Sequence, residues 1–245
     1  VVHNGVKLNL KAIEAIENLI KNRKKVIFLT NAPRPCSVVK QYLINLGMKE
    51  NLLKNIMSSG EASMRALEKE IFGKLFFHLG PNKDNEIFKN IKKNKSTLEQ
   101  CDFILCTGLV EGKEEDLEYH KNLLKNYVSK KLVCTNPDLI VHKGEIAQYC
   151  AGTIAKLFES INGESIYFGK PYKEIYKMCF KENEKTIAIG DNLNTDIKGA
   201  NNMNIDSIFI SGGVHRSEFK DESDLPNLSN KYKVKVSYYQ QELIW

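Results

Sequence analysis

Short, evenly apolar runs alternate with stretches of helical spacing along the whole chain, and this alternation restricts the fold more than any other feature. The runs are VIFLT (26–30), KLFFHL (74–79), DFILC (102–106), KLVCT (131–135), SIYF (165–168), TIAIG (186–190) and SIFIS (207–211). They have strand length and are bounded by turn formers. Periodicity predicts helices over 8–23, 36–46, 61–71, 85–92, 114–127, 146–160, 172–181 and 193–203. Ile13, Ile16, Leu19 and Ile20 mark the face of the first, and Gly47 stops the second. Strands apolar at successive positions are covered on both faces, which implies a parallel sheet joined by helical crossovers. The expected class is α/β. The last stretch, 214–245, is polar apart from VKVSYY and reads as an edge strand and a tail.

Composition narrows the function classes. At 245 residues the chain is one large domain, or a core with an insert. Its net charge is +6, yet only four of the 36 basic residues are Arg (23, 34, 65 and 216). A protein that reads bases or clamps phosphates usually relies on Arg forks. The densest basic stretch, Lys89 to Lys95, has no interleaved aromatics, so nucleic acid is not an expected partner. No 18-residue apolar run spans a membrane, and VVHNGVKLNL lacks the order of a signal peptide, so a cytoplasmic location is expected. The six Cys show no C-x-x-C spacing and read as buried free thiols rather than a zinc site or a disulfide framework.

Ligands of parallel α/β sheets sit at the carboxyl ends of the strands. Three strand ends carry chemistry. In FLTNAPRP (28–35), Thr30 offers a hydroxyl and the loop offers amides to an anion; Thr30 as a simple strand-end cap reads equally well. In YFGKP (167–171), Lys170 is fixed between Gly169 and Pro171, where it can neutralise a phosphate or a carboxylate; a solvated lysine is the alternative. In AIGDNLNTDIKGA (188–200), Asp191 and Asp196 are five residues apart at a helix start, a pair suited to a hard cation such as Mg2+. The alternative is that Asp191 or Asn192 only caps the helix.

Taken in order, LTN, GKP and GDNLNTD resemble motifs two, three and four of the haloacid dehalogenase (HAD) superfamily of phosphatases. The separation of about 140 residues between the first two, filled by a β/α insert, is similar to the subclass with a large cap after the second motif, subclass IIA. That subclass includes sugar-phosphate, nucleotide and pyridoxal-phosphate phosphatases. The resemblance implies a Rossmann-like parallel-sheet core (1–81 and 165–245) with an inserted α/β cap (82–164). It implies a Mg2+-dependent phosphatase of small phosphorylated metabolites acting through an aspartyl-phosphate. Thr30 would bond the transferring phosphoryl group, and Asn31 would shape the loop. Lys170 would offset charge on the nucleophile and the phosphoryl oxygens. Asp191 would ligate Mg2+, with Asp196 as second ligand or outer-shell support. Thr135-Asn136-Pro137-Asp138 resembles a segment ending a cap strand near the substrate, so Asp138 is a candidate substrate contact, and a structural turn is the other reading. The resemblance allows a homodimer and leaves the oligomeric state open.

The family's first motif carries the nucleophilic Asp. The sequence opens on VVHNG, similar to the tail of that motif, and no acidic residue precedes Glu14. The nucleophile is therefore expected just upstream of Val1. A non-catalytic protein that binds a phosphate ligand on the same fold is the alternative. His3, Asn4 and His215 border the motifs and admit either a substrate contact or plain loop packing.

Overall fold

The computed structural model describes residues 1–143, 146–181 and 183–245. The strands are β1 (Phe28–Thr30), β2 (Ile56–Ser58), β3 (Phe76–Leu79), β4 (Phe103–Cys106), β5 (Lys131–Cys134) and β6 (Ile140–Lys143). They continue with β7 (Ile146–Tyr149), β8 (Glu164–Tyr167), β9 (Ile187–Gly190), β10 (Asp206–Ile210) and β11 (Tyr238–Gln240). The helices are α1 (Leu10–Lys21), α2 (Cys36–Asn45), α3 (Ser59–Glu68), α4 (Leu117–Leu124), α5 (Ala151–Ser160), α6 (Lys173–Lys177), α7 (Lys198–Asn202) and α8 (Leu225–Tyr232). The class is α/β with parallel sheets, as the alternation predicts. The chain forms two compact units: residues 1–28, 43–55 and 170–245, and residues 29–42 and 56–169. Among the described residues, no helix is long and apolar enough to cross a membrane.

In the first unit, β9, β10 and β11 form a parallel sheet in the order β11-β10-β9. Side chains alternate along a strand, so β10 feeds two clusters. Ile208 and Ile210 pack with Ala12 and Ala15 of α1, with Ile189 and with Leu243. Phe209 packs with Leu193, Ile197, Leu228 and Val234 on the other side. Both faces are thus covered, which is why the strand reads as continuously apolar. The VKVSYY run supplies β11 at the sheet edge.

In the second unit, β3-β4-β5-β8 form a four-stranded parallel sheet. Ile104, Cys106, Leu132 and Cys134 face Ala151, Ile154, Ala155 and Phe158 of α5. Phe76, Phe103, Leu105 and Val133 face Leu67, Ile87 and Phe88. Strands β3 and β8 are hydrogen-bonded to β4 and β5. The tilted rings of Phe76 and Phe103, with centroids 6.0 Å apart, pack the first of these strands against its neighbour.

Three local expectations change. The helix predicted over 146–160 begins only at Ala151, because Ile146–Tyr149 pairs antiparallel with Ile140–Lys143 in a two-stranded sheet. The β-branched and aromatic residues at both ends of this segment favour extended pairing over helix. The helix predicted over 85–92 is a chain of 3-10 turns, Asn82–Asn94, interrupted at Phe88 and Ile91. Strand β2 is too short to register as an apolar run.

Candidate active site

In the first unit, β9 ends on Gly190, and the acidic motif begins with the next residue. A Cβ on Gly190 would stand 2.2 Å from Asp196 Cγ, so glycine is what lets the two ends of the motif approach. Asn192 caps the following turn, its side chain accepting from the Asn194 amide at 2.9 Å. The cap is therefore Asn192, and neither aspartate is spent on it. The turn, Leu193–Ile197, is π-helical. Such turns recur at functional sites because they turn a side chain out of the regular helical path. Here the side chain is Asp196, buried at 9% exposure. Its Oδ2 accepts the amides of Asp191 at 3.2 Å and Asn192 at 3.1 Å. Its Oδ1 accepts Lys170 Nζ at 2.6 Å.

Lys170 is therefore not a solvated lysine. Its side chain is 16% exposed and ion-paired. Asn202 Nδ2 donates to the Pro171 carbonyl at 2.9 Å and holds the segment that carries the lysine. The Asp191 carboxylate has one oxygen fixed, with Oδ2 accepting the Val214 amide at 3.1 Å. Its Oδ1 lies 3.5 Å from the backbone nitrogen of Val1.

The donor set suits a hard cation. Mg2+ takes oxygen ligands, keeps several waters and needs only one or two carboxylates beside a phosphate. Asp191 Oδ1 is the atom best placed to ligate, since both Asp196 oxygens are occupied by protein donors. Among the described residues, no group of three or more His, Cys, Asp and Glu forms a metal cage.

In the second unit, Thr30 Oγ1 accepts the Ala32 amide at 3.2 Å and closes a local turn. Asn31 is 4% exposed, and its Nδ2 donates to Asp138 Oδ1 at 2.9 Å. Ser59 Oγ reaches Asn31 Oδ1 at 3.4 Å. Asp138 itself follows an Asx turn, its amide donating to Asn136 Oδ1 at 3.1 Å. The segment is thus a turn, and it sets Asp138 against Asn31. Gly169 closes the cluster at φ +126°, where a Cβ would stand 2.2 Å from Ser59 Oγ and 2.7 Å from Asn31 Oδ1. Only glycine fits there.

Sequence reasoning missed several neighbours of this cluster. Ser58 Oγ donates to the Arg34 carbonyl at 2.5 Å, and the Gly60 amide donates to the Ala32 carbonyl at 3.1 Å, which pins the loop after Thr30 to the start of α3. Arg34 Nε faces Asp84 Oδ1 at 3.4 Å. Burial pushes the Asp84 carboxyl up, and Arg34 opposes that rise. His78 bonds Thr107 Oγ1 at 2.9 Å, and burial, with Lys95 nearby, lowers it to about 4. Ser59 follows no motif, and Asp84 sits in a lysine-rich stretch, so neither left a signal.

Residues 1–92 match the family described as haloacid dehalogenase-like hydrolase, and residues 167–230 match a HAD-hydrolase-like family. A haloacid dehalogenase-like hydrolase from Brucella suis 1330 shares 26% identity, covering 100% of this chain and 92% of that one, with a TM-score of 0.86. The chain belongs to the haloacid dehalogenase-like hydrolases. The HAD fold recurs in p-nitrophenyl phosphatase from Archaeoglobus fulgidus, with TM-score 0.78 and 17% identity over 99% of this chain and 92% of that one. It recurs in 4-nitrophenylphosphatase from Thermotoga maritima, with TM-score 0.72 and 22% identity over 98% and 91%. Dihydroxyacetone phosphatase from Corynebacterium glutamicum (strain R) is 26% identical over 89 residues, 34% of this chain and 32% of that protein. The chain therefore matches about a third of that curated relative's length. The HAD matches span both the LTN segment and the GKP and GDNLNTD segments.

Proposed function

We propose that this HAD hydrolase is a Mg2+-dependent phosphatase of small phosphorylated metabolites that works through an aspartyl-phosphate. The observation that carries the reading is the Lys170–Asp196 ion pair at 2.6 Å, closed onto the amides beside Asp191. Phosphoryl transfer needs positioning and charge neutralisation more than any other contribution from the protein. Lys170, oriented by Asp196, offsets negative charge on the nucleophile and the phosphoryl oxygens. Asp191 ligates the cation, and Asp196 supports from the outer shell. When bound, Mg2+ supplies Lewis-acid neutralisation of phosphoryl charge. Thr30 donates its hydroxyl to a phosphoryl oxygen, and Asn31 holds the loop through Asp138.

The insert, 82–164, selects the substrate in this proposal, with Asp138 as a contact. Small phosphate esters are the substrate class, in keeping with a relative named dihydroxyacetone phosphatase. A cytoplasmic setting without nucleic-acid or membrane partners belongs to the same reading, and a homodimer is compatible with it.

The test is release of inorganic phosphate from p-nitrophenyl phosphate and dihydroxyacetone phosphate by the intact protein, with and without Mg2+. Binding of a phospho-ester without turnover, under conditions where Mg2+ also binds, would instead favour a non-catalytic phosphate-binding protein.

A further inference from the structure

His215 has no role in the reaction so far, yet its ring is 4% exposed and both nitrogens are engaged. Nε2 stands 3.2 Å from the Leu193 backbone nitrogen. A backbone N–H only donates, so Nε2 accepts and carries no proton. Nδ1, 2.9 Å from Glu218 Oε1, therefore holds the ring proton and donates it. Glu218 also accepts from Lys231 and from Tyr232 Oη at 2.8 Å. Lys231 and then His215 hold its carboxyl down at about 2, so it is ionised. The imidazole packs on the Tyr232 ring, with centroids 4.7 Å apart. One tautomer and one orientation satisfy all of these partners.

The acceptor nitrogen reaches a consequential amide. Leu193 opens the π turn two residues after Asp191. The residues beside His215 hold the aspartate directly: Val214 donates to Asp191 Oδ2 at 3.1 Å. Gly213 approaches so closely that a Cβ there would stand 2.2 Å from the same oxygen. The 213–215 turn thus grips the Asp191 loop at the carboxylate and again two residues on. It fixes Oδ2 and leaves Oδ1 as the oxygen that would ligate a cation.

We infer that His215, its tautomer set by Glu218, is a positioning residue that holds the Asp191 loop in its cation-binding form. The inference rests on the proposed role of Asp191 toward Mg2+. His215→Phe keeps the packing on Tyr232 and removes the acceptor. His215→Gln keeps an acceptor at similar reach. Two readouts apply to the intact protein: Mg2+ affinity by isothermal titration calorimetry, and hydrogen exchange over 191–197 by mass spectrometry.

His215→Phe is expected to weaken Mg2+ binding about tenfold, the usual range for loss of an outer-shell partner. It should also speed exchange of the loop, while His215→Gln restores both to near wild type. Wild-type affinity and exchange in His215→Phe would overturn the inference. Absence of Mg2+ binding by the wild type overturns the metal reading itself, and the exchange arm then decides alone whether His215 holds the loop. Should His215→Phe not fold, Glu218→Ala serves in its place: it removes the acceptor that keeps the ring proton on Nδ1, and the same two losses are expected.

Discussion

Lys170 Nζ lies 2.6 Å from Asp196 Oδ1, and the other oxygen of that carboxylate accepts the amides of Asp191 and Asn192. One side chain therefore orients the lysine and ties down the loop that carries the proposed cation ligand. Asp196→Asn removes the charge partner of a largely buried ammonium while keeping the size of the side chain. Loss of one member of a buried pair costs about 3–5 kcal/mol, and the residual exposure of this pair places the expectation at the lower end. Lys170→Met combined with Asp196→Asn should be less damaging than the two single changes added together. A double-mutant cycle by urea unfolding reads the coupling, and additive values would show that the pair contributes nothing as a pair.

Gly169→Ala should destabilise the protein and impair any activity. Its φ of +126° strains an L side chain, and the new methyl would press on Ser59 Oγ at 2.2 Å. Strain of this kind costs about 1–3 kcal/mol. Gly47→Ala is an informative comparison, since its φ is +99° but nothing lies within 4 Å of the new Cβ. The thermal midpoint of Gly169→Ala should fall further, and equal shifts would mean that the Asn31–Ser59 cluster yields freely.

Asp138→Ala removes the acceptor for Asn31 Nδ2. The expected outcome is a KM raised about tenfold, equivalent to one hydrogen bond of roughly 1.4 kcal/mol, with kcat little changed. Steady-state kinetics with a small phosphate ester measures both. A fall in kcat at constant KM would show that Asp138 serves the chemical step, through the loop that Asn31 holds, instead of substrate contact.

His78 gives the stability a pH dependence. Burial lowers its folded value to about 4, from the ordinary 6.5. The unfolded chain therefore takes up a proton at a higher pH than the folded one, and stability falls as pH drops from 6.5 toward 4. The full loss is about 3 kcal/mol, at 1.36 kcal/mol per pKa unit. His78→Gln, which keeps a partner for Thr107, should flatten the thermal midpoint between pH 6.5 and 4.5. An unaltered slope would place the titration elsewhere.

The parallel α/β class was legible because strands buried on both faces, such as Phe103–Cys106, are apolar at every position. The GDNLNTD and GKP residues were legible because charged groups at strand ends have few structural uses. The Asn31–Asp138 bond was not, since 107 residues separate its partners and local pattern carries no such distance. The antiparallel pairing of β6 with β7 was misread because the apolar spacing after Ile146 fits a helix as well as a strand. The width of the four-stranded sheet was also hidden, because strand order is set by pairing and each strand alone reads the same. His215 was noticed only for its place after two glycines, and its bond to the Leu193 amide depends on how two loops fold together.

The most direct test of the central claim is release of inorganic phosphate by the intact protein and its Asp191→Asn variant, in Mg2+ and in excess EDTA. The account predicts turnover by the wild type in Mg2+, little in EDTA, and a loss of about a hundredfold or more in Asp191→Asn with the fold retained by circular dichroism. Equal phosphate release by the variant, or by the wild type stripped of divalent cations, would contradict it.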